Sequence, residues 1–178
     1  KLWLKMIICD PKIKLKNKHV QSILASSRLR LIKLRKNNPI IQNSKEILLE
    51  TQEAKLQGFF TRNEESHKLF ILIHGWEGSA DSTYIQLLAN TLFTVGKSSI
   101  FRLNFRDHGD THHLNEHLFH SCRLNEVFQA VEQIIEKFPH KQVYICGFSL
   151  GGNFSIRLAS KTYNKNISVI RKLKEFQD

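Results

Sequence analysis

The sequence predicts an α/β fold in which a mostly parallel sheet, entered through an antiparallel hairpin, is covered by helices. Two observations carry this prediction. From residue 69 onward, short apolar runs of strand length alternate with longer segments of helical apolar spacing, in the order strand–helix–strand–helix–strand–helix. That order calls for parallel strands joined by right-handed crossovers. Ahead of it stand two short strand-like runs, Glu46–Thr51 and Leu56–Thr61, close enough to pair as a hairpin.

Each element has its own signal. Leu69–Ile73 is continuously apolar, as suits a strand buried on both faces. Asp81 or Ser82 is placed to cap the next helix, whose Ile85, Leu88, Ala89, Leu92 and Phe93 recur at helical spacing. Gly96 is expected to close that helix in a left-handed conformation. Ile100–Phe105 reads as the next strand and leads into a polar, His-rich loop. Leu124, Val127, Phe128, Val131, Ile134, Ile135 and Phe138 form the strongest helical stripe in the chain, stopped by Pro139. Gln142–Cys146 is a strand, the segment from Leu150 to about Ser160 is helical, and Ile167–Ile170 is one further strand candidate.

Composition sets the class. With 41% hydrophobic and 24% charged residues over 178 positions, the chain has the make-up and length of one globular domain. No apolar run is long enough to cross a membrane, and the basic start leads into more charge rather than into a secretory apolar stretch. The three cysteines, Cys9, Cys122 and Cys146, are odd in number and widely spaced, which suits free thiols in a reducing cytoplasm. The net charge of +11 is unevenly spread. Residues 1–36 hold 11 Lys+Arg against one acid, Asp10, and the remainder holds 16 against 15. Any attraction to anionic surfaces therefore belongs to a basic arm over 1–36, and the near-neutral body over 37–178 is not expected to bind nucleic acid specifically. Within the arm, Val20, Ile23, Leu24, Leu31 and Leu34 recur in a roughly helical pattern. Packing on the domain with the charges in water is favoured over a membrane-surface helix, because Ser26 and Ser27 break the stripe.

The chemistry lies in two glycine-rich turns. Gly147-Phe148-Ser149-Leu150-Gly151 follows a buried strand directly and opens a helix. That is the setting of a nucleophile elbow, in which a serine on a strained turn lifts its hydroxyl above the sheet. Glycines belong at 147 and 151 because side chains there would strike neighbouring backbone. A phosphate loop would need Lys followed by Ser or Thr where Asn153-Phe154 stands, and a dinucleotide loop would need glycine where Ser149 stands. His74-Gly75-Trp76-Glu77-Gly78-Ser79 follows the strand Leu69–Ile73. A His-Gly-rich turn here resembles the one in which α/β-hydrolases place the second oxyanion donor. That resemblance implies that this strand neighbours the one before Ser149 and that both turns meet at the carboxyl edge of the sheet, where open α/β sheets bind ligands. The expected oxyanion donors are the backbone N–H groups of Trp76 and Leu150, with His74 a structural residue of the loop.

Taken together these residues resemble the α/β-hydrolases, in the branch of hydrolases and esterases related to abhydrolase-domain lipases. The resemblance runs from about His19 to Ser160. It takes in His19–Gln21, the His74–Ser79 loop, Asn104-Phe105-Arg106-Asp107-His108-Gly109, His120-Ser121, and Gly147 through Asn153. It implies an α/β-hydrolase fold and a serine hydrolase of carboxylic esters acting through Ser149 on a small-molecule ester, with no cofactor. Trp76 stands where many such relatives carry a smaller apolar residue, which narrows the acyl pocket. The family places the acid and the histidine after later strands. Here the last histidine is His140, and only Glu175 and Asp178 are acidic beyond Ser149. The chain is accordingly expected to be the N-terminal part of such a domain, incomplete at its C-terminus, with the rest of the triad absent. The competing expectation is a truncated, inactive remnant.

His108, His112, His113, His117 and His120 crowd one loop with Asp107, Asp110 and Glu116. Their spacing matches no closed zinc pattern, so no metal is expected. The resemblance implies that His108, His113 and His120 structure the loop beside the active site.

Overall fold

In the computed structural model, residue 17, residues 19–21 and residues 38–164 are described. The chain divides into two compact units, Lys1–Lys36 and Asn37–Asp178. In the first, residues 19–21 are helical, and Asn17 Oδ1 accepts from the His19 and Val20 N–H groups at 2.9 and 3.4 Å. The rest of the arm and the strand candidate Ile167–Ile170 lie outside the described residues.

Among its described residues the second unit has a short helix, α1 (Pro39–Gln42), followed by one five-stranded sheet. Its strands are β1 (Lys45–Glu50), β2 (Lys55–Thr61), β3 (Lys68–Ile73), β4 (Ser99–Leu103) and β5 (Gln142–Gly147), in the spatial order β1-β2-β4-β3-β5. β1 pairs with β2 and β2 with β4 antiparallel, whereas β3 runs parallel to both β4 and β5. The hairpin and the parallel crossovers expected from the alternation are both present.

β3 lies inside the sheet, between β4 and β5, and both of its faces are covered. Leu69, Ile71 and Ile73 share a core with Val127, Val131 and Ile134 of α3 (Leu124–Lys137) and Phe154 and Leu158 of α4 (Leu150–Asn164). Leu72 joins the opposite cluster with Ile40, Ile100, and Ile85 and Ala89 of α2 (Thr83–Thr94). The unbroken apolar run of β3 is thus the signature of a strand with helices on both sides. Each fully buried Leu or Ile there contributes about 1.5–3 kcal/mol relative to exposure.

Local details depart from the sequence reading in three places. Ser82 is the residue before α2, yet its hydroxyl makes no capping bond; it accepts instead from the Ser79 N–H at 2.9 Å. The Asp81 carboxylate is drawn to the Arg102 guanidinium at 3.0 Å and the Gln86 amide at 3.2 Å. Gly96 does not carry the left-handed turn after α2. That conformation falls on Lys97, at φ +48°. Glycine is needed at 96 because a Cβ would lie 2.7 Å from Leu92 O. Finally, β4 ends at Leu103 rather than Phe105. Asn104 still donates its N–H to Gln57 O at 2.8 Å, while its side chain serves two neighbours, Oδ1 accepting from Ala80 N at 2.6 Å and Nδ2 donating to Gln57 Oε1 at 2.7 Å.

Candidate active site

The register of β3 against β5 brings the two glycine-rich turns together. Ile73 is paired with Gly147, so both strands end at the same edge of the sheet, and Phe148 N extends the ladder to Ile73 O at 3.1 Å. Ser149 follows at once, exposed, with φ +51°. A serine in the left-handed region is held at a cost of order 1–3 kcal/mol and persists only where its surroundings enforce it. The surroundings here are backbone. A Cβ on Gly147 would lie 2.1 Å from Gly151 O, and one on Gly151 would lie 2.4 Å from Ile73 O and 2.5 Å from His74 O. The strand, the turn and the start of α4 are in such close contact that only glycine fits at both positions.

The loop after β3 packs against this turn. A Cβ on Gly75 would meet Phe148 O at 3.2 Å and the Ser149 Cβ at 3.4 Å. Tyr84 of α2 fixes the loop by accepting from Gly75 N at 2.9 Å. A bond from Gly78 N to Gly75 O at 3.1 Å closes a turn over Trp76 and Glu77, with Glu77 at φ +52°. That closure does not use the Trp76 N–H. Leu150 is the first residue of α4, so its N–H has no partner within the helix, and the helix N-terminus favours negative charge beside it. Both amides expected to form an oxyanion hole therefore belong to the turns flanking Ser149.

His74 is fully buried under these turns. Its Nε2 accepts from Phe105 N at 3.2 Å, which places the proton on Nδ1, and Nδ1–H donates to Gly75 O at 2.7 Å. The imidazole thus ties the loop after β3 to the chain after β4. Burial pushes its pKa down from 6.5 to about 4, outweighing the bond to Gly75. The folded state therefore holds this histidine neutral while the unfolded chain takes up a proton below pH 6.5. Stability from this group is complete above about pH 6.5 and is lost as pH falls toward 4, by about 3 kcal/mol at most. Urea midpoints measured between pH 7 and 4.5 should fall with pH, and His74→Gln should flatten the slope. An unchanged slope in the variant would remove His74 as its origin.

The His-rich loop divides. His108 packs edge-on to Phe119 at 5.0 Å and near Trp76 at 6.2 Å, and its Nδ1 bonds Arg106 O at 2.7 Å. His112, His113, His117 and His120 are exposed. The loop is anchored from below by Arg106, buried against Glu126 of α3 at 2.6 Å and donating to Glu53 O and His117 O. Burial pushes the Glu126 carboxyl up despite the guanidinium beside it. Removing one partner of such a buried pair costs about 3–5 kcal/mol. Beside Ser149 an open cleft of ≈ 670 Å³ is lined by Ser121, Cys122, Leu150, Asn153 and Arg157. Four of those residues were not singled out as cleft residues by sequence; only the topology brings the start of α3 beside α4.

Residues 68–170, more than half of the chain, match the family model described as the alpha/beta hydrolase fold. The chain belongs to the α/β-hydrolase family. Solved structures with the same fold include an esterase of Pyrococcus furiosus, 22% identical, which covers 64% of this chain and 43% of its own length at a TM-score of 0.56. A second is an α/β serine hydrolase without lid from Xanthomonas campestris, at 20% identity, 67% and 56% coverage and a TM-score of 0.57. A third is Est1E of Butyrivibrio proteoclasticus with ferulic acid bound, at 19% identity, 66% and 48% coverage and a TM-score of 0.57. This α/β-hydrolase chain thus spans about half the length of the solved structures it matches. No curated protein matches it. No helix among the described residues is long and apolar enough to cross a membrane.

Proposed function

We propose that Ser149 is the nucleophile of a serine hydrolase acting on carboxylic esters. The observation that carries the reading is the exposed serine at φ +51°, between a parallel strand and a helix N-terminus, against the glycine turn after β3. In this reading Ser149 Oγ attacks the ester carbonyl, and the Trp76 and Leu150 N–H groups hold the oxyanion of the tetrahedral intermediate. The alcohol then leaves, and water releases the acyl group from Ser149. Among the described residues no histidine hydrogen-bonds Ser149 Oγ, and the reading names no base among them.

The test is covalent. In a form of the protein that carries its base and acid, a serine-directed fluorophosphonate should modify Ser149, and Ser149→Ala should abolish the modification. Modification that survives the substitution would take Ser149 out of the role. We further assign to the basic arm a weak, non-specific contact with anionic surfaces. Deleting residues 1–36 should remove most binding to anionic vesicles, and the binding should weaken with salt. Salt-insensitive binding retained by the deleted form would refute that assignment.

A further inference from the structure

The cleft beside Ser149 has one charged wall. Arg157 lies two turns along α4 from the nucleophile, and it is the cleft's sole charged lining residue among those described. Its guanidinium is held on two sides. Nη1 donates to Ser121 O at 2.7 Å, and Cζ sits 5.1 Å over the ring of Phe154, itself fully buried. The remaining N–H groups have no hydrogen-bond partner among the described residues, and no carboxylate lines the cleft. A guanidinium in this state is a fixed fork of donors whose natural partner is a planar carboxylate or a phosphate. Its geometry relative to the nucleophile is set by the helix. Eight residues span about 12 Å along the axis, and helical side chains lean back toward the N-terminus, so the guanidinium reaches toward Ser149.

We propose that this cleft takes an ester whose far end carries an oxyanion, carboxylate or phosphate, bound by Arg157 while the scissile carbonyl lies at Ser149. The position of the carbonyl rests on the assignment of Ser149; the anion site does not. Leu150 supplies apolar surface for the intervening chain, and Asn153, exposed one turn before Arg157, offers an amide to the same group. The inference names Arg157 as a specificity-determining residue, selecting anionic esters over neutral ones of equal length.

Cys122 supplies a readout that needs no catalysis. It is an exposed free thiol in the cleft wall, adjacent to the Ser121 carbonyl that holds Arg157. Its alkylation by iodoacetamide, followed by peptide mass spectrometry, reports cleft occupancy, while the half-buried Cys146 reports unfolding in the same digest. Octanoate or octyl phosphate should slow Cys122 alkylation about five- to tenfold, as a pre-positioned charged pair allows, and 1-octanol should not. The arm that protects identifies the oxyanion. Arg157→Gln should abolish the protection and Arg157→Lys, which keeps the charge without the fork, should retain part of it. Protection by neither anion, equal protection by 1-octanol, or full protection in an Arg157→Gln protein with Cys146 still shielded would overturn the proposal. Ser149→Ala should leave the protection intact. Protection that persists when fluorophosphonate fails to label Ser149 in the form that carries its base and acid would sink the nucleophile and keep the anion site.

Discussion

Gly151→Ala is expected to destabilise the protein by at least about 3 kcal/mol, enough to lower its melting temperature by roughly 8 °C or more. The added methyl carbon would sit 2.4 Å from Ile73 O and 2.5 Å from His74 O. These are backbone atoms at the end of β3, a strand paired on both sides, and neither can swing aside as a side chain can. Relief requires α4 to move off the sheet, taking Phe154 and Leu158 out of the core they fill. Gly147→Ala should be at least as damaging, because its Cβ would meet Gly151 O at 2.1 Å. Gly152→Ala is the control. Its nearest foreign atom is Gly147 O at 3.3 Å, and alanine inside a helix is worth about 1 kcal/mol over glycine, so the net change should stay within about 1 kcal/mol. Thermal unfolding of the three variants decides the matter. A Gly151→Ala protein as stable as Gly152→Ala would mean that strand, turn and helix are not locked as described.

The same contacts explain what was legible in the sequence. β3 was readable because both of its faces are buried, which forces an unbroken apolar run. α3 was readable because one face meets the core and the other faces water. The elbow was readable because its glycines answer a backbone collision rather than a preference. What escaped notice depends on partners distant in sequence. Gly96 looked like a left-handed cap because glycine usually is one; its true constraint is the carbonyl of Leu92, and the left-handed residue is Lys97. Phe105 looked like strand, yet the β2–β4 ladder makes its last bond at Asn104, from Asn104 N to Gln57 O at 2.8 Å, and Phe105 N turns instead to the His74 ring. Arg106 and Glu126 are ordinary surface residue types, and nothing local announces that they meet at 2.6 Å inside the fold. The four-residue helix α1 is too short for any apolar period, although Asn38, whose side chain accepts from Ile40 N, and Pro39 are a recognisable helix start.

The 178 residues by themselves are expected to show no ester turnover that Ser149→Ala removes. A serine hydroxyl needs a base, and the three histidines that the fold buries or half-buries, His74, His140 and His108, are otherwise engaged. His74 uses both ring nitrogens, on Gly75 O and Phe105 N, and burial holds its pKa near 4. His140 precedes β5 whereas Ser149 follows it, so the length of that strand, about 20 Å, separates them. Its Nδ1 also bonds Phe138 O at 2.8 Å, and burial pushes its pKa down. His108 spends Nδ1 on Arg106 O and turns its ring to Phe119 and Trp76. Without a base, the oxyanion donors and binding alone leave about 10³–10⁴-fold acceleration over water, against 10⁶-fold or more for typical enzymes, roughly. Hydrolysis of p-nitrophenyl acetate by the chain should therefore equal that of its Ser149→Ala variant within error. Turnover that depends on Ser149 and also vanishes in His108→Ala would overturn this expectation. It would make His108, the histidine beside the Trp76 turn, the base within the chain itself.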